Sequence, residues 1–241
     1  MTGPEITMEI SAAVEQRRPV RETPAQRLAR DFANFVKGFF RMLALAGLLA
    51  PVLLFSFLTV DLPVRGFDRL FDLPALKPSN WLSVGGFIMA WGAPLVVLFA
   101  RRFGGDEASR AVTAAWGVAA VATFAELSYL APVLETSDFP SVRFVVAFVA
   151  SAMIGQYMAI GVYDVTRGGG KWWRAPLIAL LSGYAAHALI YYIVAYWKVT
   201  APWFNWMISD FAVKAACAVA FLPVYRLLQK ALRPRGGYGG R

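Results

Sequence analysis

Six stretches of about 20 mostly apolar residues constrain this chain more than any other feature, because a helix needs about that length to cross a bilayer. They are Met42–Val60, Trp81–Ala100, Ala111–Leu134, Phe144–Tyr163, Ala175–Trp197 and Trp206–Leu228. The first, second and fourth carry no charge, the third carries Glu126 and the fifth holds only His187. The last has Asp210 and Lys214 near its start. Composition agrees. Of 241 residues, 58% are hydrophobic and 16% charged, against about 25% charged in soluble domains. The expected fold is all-α: a polytopic membrane protein built as a bundle of six transmembrane helices.

The net charge of +9 is then a topology signal. Of 24 Lys and Arg, 18 fall in the segment through Arg41, in Arg101–Arg110, in Asp164–Arg174 and in the tail from Arg226. Positive residues stay on the cytoplasmic side. Six spans then place both termini in the cytoplasm and the chain in the cell inner membrane. Clustered this way, the charge is not a nucleic-acid footprint. Residues 1–41 form a cytoplasmic arm, residues 42–232 the transmembrane domain and residues 233–241 a flexible basic tail. No signal peptide is expected, because the first apolar run begins only at Met42. Within the arm, Leu28, Phe32, Phe35 and Phe39 share a helical face, with Arg27, Arg30, Lys37 and Arg41 mostly elsewhere. That pattern suits either a basic amphipathic helix on the membrane surface or a continuation of span one. The first 24 residues are expected to be disordered. Asp61–Asn80, with Pro63, Pro74 and Pro78, is expected to form a short turn or interfacial helix on the outer face.

Several function classes fall away. One Cys and one His leave no four-ligand zinc site. Gly168-Gly169-Gly170-Lys171 is followed by Trp172 and lacks the earlier glycine of a phosphate-binding loop. No cofactor is implied, and no enzyme is expected.

Ionisable residues inside a bilayer cost roughly 3 kcal/mol on insertion scales, so the interior polar residues are the candidate site. Glu126, Asp210 and Lys214 fall in the outer half and His187 near the middle, so these four are expected to share an outward-opening polar region. Gln156 falls in the inner half. Asp210 and Lys214, four apart, can pair on one helix face. Pro94 cannot donate to the carbonyl of Ala90, which predicts a kinked or broken second span. Ala147, Ser151, Gly155 and Ala159 form a small-residue ladder for close helix packing. Most tryptophans sit at span ends as interfacial anchors; Trp91 sits mid-span and could stack a planar ligand.

Lys171-Trp172-Trp173-Arg174-Ala175-Pro176 resembles a loop of the queuosine precursor transporter family, also called the vitamin uptake transporter family. Gly155-Gln156, Gly183, the run Ser209–Lys214 and Phe221-Leu222-Pro223-Val224-Tyr225 match other motifs in the same order, across roughly Trp81–Lys230. The resemblance implies a six-span importer of 7-deazaguanine precursors. It implies Gln156, Asp210 and Lys214 as polar site residues, with Gly155 packing beside one. The second span lacks the acid seen in the family, and Tyr184 and His187 stand where Asn and Asp are common.

A guanine-like edge offers N–H donors and a carbonyl acceptor, which a carboxylate and an amide can meet, and its ring suits an aromatic face. Glu126, Gln156 and Trp91 or Tyr184 would supply these, with Glu126 or His187 as candidate proton carriers. The substrate-binding set is Glu126, Gln156, His187, Asp210, Lys214, Trp91 and Tyr184. The expected partners are the lipid bilayer and a purine-like solute, with a homo-oligomer or a membrane-complex partner also open. The alternative function is a non-transporting subunit of a larger membrane complex.

Overall fold

The computed structural model describes residues 23–133, 141–168 and 170–234. Expectations for residues 1–22, for Leu134 and for the tail beyond residue 234 fall outside them. The chain divides into two units, residues 1–41 and 42–241. Among the described residues, six helical segments are long and apolar enough to cross a membrane. The helices are α1 (Pro24–Leu58), α2 (Val84–Ala90), α3 (Gly92–Phe103), α4 (Gly105–Leu130), α5 (Val142–Thr166), α6 (Arg174–Tyr196) and α7 (Trp203–Leu228). Helical geometry is continuous from Pro24 to Leu58. In the first unit, Leu28, Phe32 and Phe35 are each at least two-thirds exposed.

The second span is broken, as Pro94 requires. Helix α2 ends at Ala90, Trp91 forms a turn, and α3 starts at Gly92. Pro94 then lies in the first turn of α3, where a missing N–H is harmless. The carbonyl of Ala90, which Pro94 cannot serve, instead accepts the Tyr184 hydroxyl of α6 at 2.6 Å. A buried carbonyl without a donor is costly, so Tyr184 is the structural answer to Pro94.

Helix α3 is the hub of the second unit. It packs against α2, α4, α5, α6 and α7, and Val96, Val97 and Ala100 are fully buried. The most extensive helix pair is α5 with α6. Its seam is the predicted ladder: Ala147, Ser151, Gly155 and Ala159 are all buried. A Cβ on Gly155 would stand 2.8 Å from the carbonyl oxygen of Gly183, and one on Gly183 would stand 2.6 Å from that of Gly155. The two backbones touch there. A second close approach joins α1 to α2, where Ser56 Oγ donates to Gly85 O at 2.7 Å. A Cβ on Gly85 would meet the Ser56 carbonyl oxygen at 2.1 Å.

Residues 61–83 form turns, not a helix of full length. Short 3-10 turns start at Asp68, Pro74 and Pro78. Proline fits a first helical position but cannot continue a longer ladder. Cross-links hold the segment: Ser79 N–H donates to Asp68 Oδ1 at 3.0 Å, and Trp206 Nε1 donates to Ala75 O at 2.9 Å. The first of these holds the Asp68 carboxyl below its ordinary value, with the backbone N–H of Ser79 as the main cause.

Gly155→Ala and Gly85→Ala are expected to destabilise the protein by about 1–3 kcal/mol each, the usual cost of overpacking. Gly161, with nothing within 4 Å of its would-be Cβ, is the control. Gly161→Ala is expected to stabilise by up to about 1 kcal/mol through helix propensity. Unfolding of purified protein in detergent checks all three.

Candidate functional site

Two cavities lie one above the other along the α5–α6 seam. The larger is a vestibule of about 450 Å³. Its walls come from the end of α1, the 61–83 turns, the start of α5 and the end of α6. They include Asp61, Trp81, Phe144, Phe148, Tyr191 and Tyr196. Most polar groups of that wall are used internally: Trp81 Nε1 donates to Leu76 O, and Asn80 Nδ2 donates to Pro74 O. Ser83 and Ser141 cap α2 and α5.

The smaller cavity has room for roughly one water molecule. Met89, Ala90 and Ala93 line it from the broken span. Gly155 and Gln156 come from α5, and Gly183, Tyr184 and His187 from α6. Phe148 and Tyr191 line the vestibule, while Ala152 and His187, each four residues away, line the small cavity. Four helical residues rise about 6 Å, so one turn separates the two spaces. The His187 and Tyr191 rings, 6.1 Å apart, form part of that partition.

Beside His187 lies a buried ion pair. Lys214 Nζ donates to Asp210 Oδ2 at 2.6 Å, with both side chains under one-tenth exposed. The expected i,i+4 pair therefore forms. The Lys214 charge acts on His187, and the Asp210 charge acts on Tyr191 and Tyr192. Tyr191 of the vestibule, the Asp210–Lys214 pair and His187 of the smaller cavity thus form a strip of polar side chains.

Gln156 is fixed by a residue that sequence reasoning passed over. Trp116 Nε1 of α4 donates to Gln156 Oε1 at 2.9 Å. The Gln156 Nε2 group is buried and meets no acceptor among the described residues. A buried donor in that condition costs about 1–3 kcal/mol. The only hint at Trp116 in the sequence is its place in a mid-span tryptophan face with Ala108, Val112, Ala115 and Ala119, all buried.

At the opposite end the bundle is closed. Arg101 Nη1 donates to the Tyr225 hydroxyl at 3.0 Å, and that hydroxyl bonds Tyr163 at 2.9 Å. Arg101 Nη2 also donates to Gln229 O at 2.9 Å. The Arg226 guanidinium sits over the Trp172 ring at 5.1 Å, an ordinary cation–π distance.

The structure therefore brings Gln156, Tyr184 and His187 to one cavity, with Asp210 and Lys214 beside it. Gln156 joins this group although its depth alone separated it from His187. Glu126 does not join. It is half-buried on α4 and lines neither cavity. Trp91 is 39% exposed at the break and also lines neither. Asp61, Tyr191 and Tyr196 of the vestibule were not anticipated; nothing in their local sequence separates them from ordinary span-end residues. No group of three or more metal-ligating side chains converges among the described residues.

Six apolar helices around buried polar side chains define a multi-pass membrane protein with an internal polar site. A family model described as "Putative vitamin uptake transporter" matches residues 83–228, and the chain belongs to that family. It is also 26% identical over 191 residues to the "Queuosine precursor transporter" of Escherichia coli (strain K12). That alignment covers 69% of this chain and 86% of the relative. No solved structure matches it.

Breaking the buried pair from one side is expected to cost about 3–5 kcal/mol, because it strands a charge. Lys214→Met and Asp210→Asn should each lower the unfolding temperature sharply, and the double variant should recover most of the loss. Thermal unfolding of the three proteins in detergent checks this.

Proposed function

We propose that this chain carries a 7-deazaguanine precursor of queuosine across the cell inner membrane, with both termini in the cytoplasm. The observation that carries the reading is the similarity to the queuosine precursor transporter of Escherichia coli, which extends over 86% of that protein. In this orientation the vestibule opens outward, and the Arg101–Tyr225–Tyr163 cluster closes the cytoplasmic end. A flat solute of this kind enters the 450 Å³ vestibule, where aromatic walls offer stacking faces.

The next step inward is the partition formed by Phe148, Tyr191 and His187. Beyond it the small cavity is too tight for a base, so passage requires α6 to move away from α3 and α5. A broken helix at the midplane, such as α2–α3, is a common element of transporter sites. The chain's own residues then act in order: aromatics orient the ring, Asp210–Lys214 keep the strip polar, and Gln156 and His187 meet the solute's edge. Energy comes from a gradient or from a partner, since the sequence carries no nucleotide-binding loop. The meeting of Gln156 and His187 at one cavity supports this reading over the partner-subunit one.

The test uses cells that neither make nor import 7-deazaguanines, supplied with one and assayed for queuosine in tRNA. This chain is expected to restore incorporation. His187→Ala and Lys214→Met should cut initial uptake roughly tenfold or more, a loss of about 1.4 kcal/mol or greater. Glu126→Gln, outside both cavities, should stay within about twofold, as substitutions away from a site do. No restoration by the wild-type chain, at normal membrane abundance, overturns the substrate assignment.

A further inference from the structure

The amide of Gln156 has a fixed polarity. An indole N–H only donates, so the atom that meets Trp116 Nε1 at 2.9 Å must be the amide oxygen. The NH₂ group therefore faces the other way. It lies beside Gly92, where a Cβ would stand 3.0 Å from Nε2, and Gln156 lines the central cavity. Gln156 is only 3% exposed, and Nε2 finds no acceptor among the described residues. The Tyr184 hydroxyl of the same cavity spends its proton on Ala90 O at 2.6 Å and makes no hydrogen bond with Nε2.

We infer that Trp116 is a positioning residue for solute selection: it locks Gln156 as a donor, so that once α6 has moved aside the smaller cavity takes a planar solute by a carbonyl edge and rejects an amino edge. The inference rests on the transport reading above and narrows it. Left free, a glutamine amide turns over and serves a donor or an acceptor alike. Held by the indole, it serves only an acceptor. An amino group placed there would set donor against donor, and both would be left unpaired in a buried space. The absence of a side chain on Gly92 leaves that donor uncrowded, since a Cβ there would stand 3.0 Å from it.

The probes are 7-deazaguanine and 2,6-diamino-7-deazapurine, which carry oxygen and NH₂ respectively at position 6, with a proton on N1 in the first and a lone pair there in the second. Binding to the purified full-length protein in detergent is measured by titration. The wild type is expected to prefer the oxo compound at least tenfold. Trp116→Phe removes the N–H, and the ratio should fall towards one while binding persists. A benzothienylalanine at position 116 keeps the indole shape and lacks only the N–H, which separates polarity from packing should the Phe variant fold poorly. It should show the same loss of preference. An unchanged tenfold preference in the benzothienylalanine protein overturns the inference, as does a wild-type ratio near one, the result expected if water alone meets Nε2. Wild-type protein that binds neither probe and also fails the uptake assay overturns the transport reading, and this inference with it. Uptake that persists without oxo preference overturns this inference alone.

Discussion

The contact of Gly155 with Gly183 sets the geometry on which the polar interior depends. In a bilayer, helices gain little from hiding apolar surface from one another, and close backbone approach is what brings dispersion contacts within range. Each of these glycines faces the other's carbonyl oxygen where a methyl group would not fit. The residues next along both helices inherit that closeness. Gln156 follows Gly155, while Tyr184 follows Gly183 and His187 lies one turn further, so three polar side chains reach a single small space. Small residues at the seam and polar residues beside it are one arrangement seen from two sides.

Polar groups at this depth are tolerated because nearly all of them are matched. Asp210 holds Lys214, Trp116 holds one end of Gln156, and Tyr184 holds a carbonyl that proline cannot serve. At the arginine-rich end, Arg101 Nη1, the Tyr225 hydroxyl and the Tyr163 hydroxyl are bonded in series. The asymmetry between the ends is equally physical. One end has an aromatic-walled space large enough for a small heterocycle, and the other is filled by long side chains bonded across α3, α5 and α7.

Much of the fold could be read from the chain. The length of the apolar runs gave the six spans, and Pro94 located the break to within a few residues. The spacing of Ala147, Ser151, Gly155 and Ala159 marked the seam, and the four-residue spacing of Asp210 and Lys214 allowed their pairing while leaving Glu126 open as a partner for Lys214. The site was less legible, because depth along a helix says nothing about the direction a side chain faces. By that measure Glu126 in the outer half and His187 near the middle were expected to share one polar region, yet only His187 lines the cavity. Gln156 looked displaced from His187, and the crossing of α5 and α6 brings them together. Trp116 carries little local signal beyond its place on a helix face of small residues, since its importance lies in the partner it meets 40 residues further on.

The hydroxyl of Tyr184 has a consequence for how the bundle can move. It belongs to α6, while the carbonyl it serves belongs to the end of α2. Any separation of these elements strands both groups in a dry interior, at a cost of about 1–3 kcal/mol for the carbonyl alone. A half-way separation regains nothing, because a stretched bond is lost before water or a new donor arrives. The bond therefore behaves as a catch with a threshold. It ties α6 to the end of α2, and a motion that parts the two must first break it.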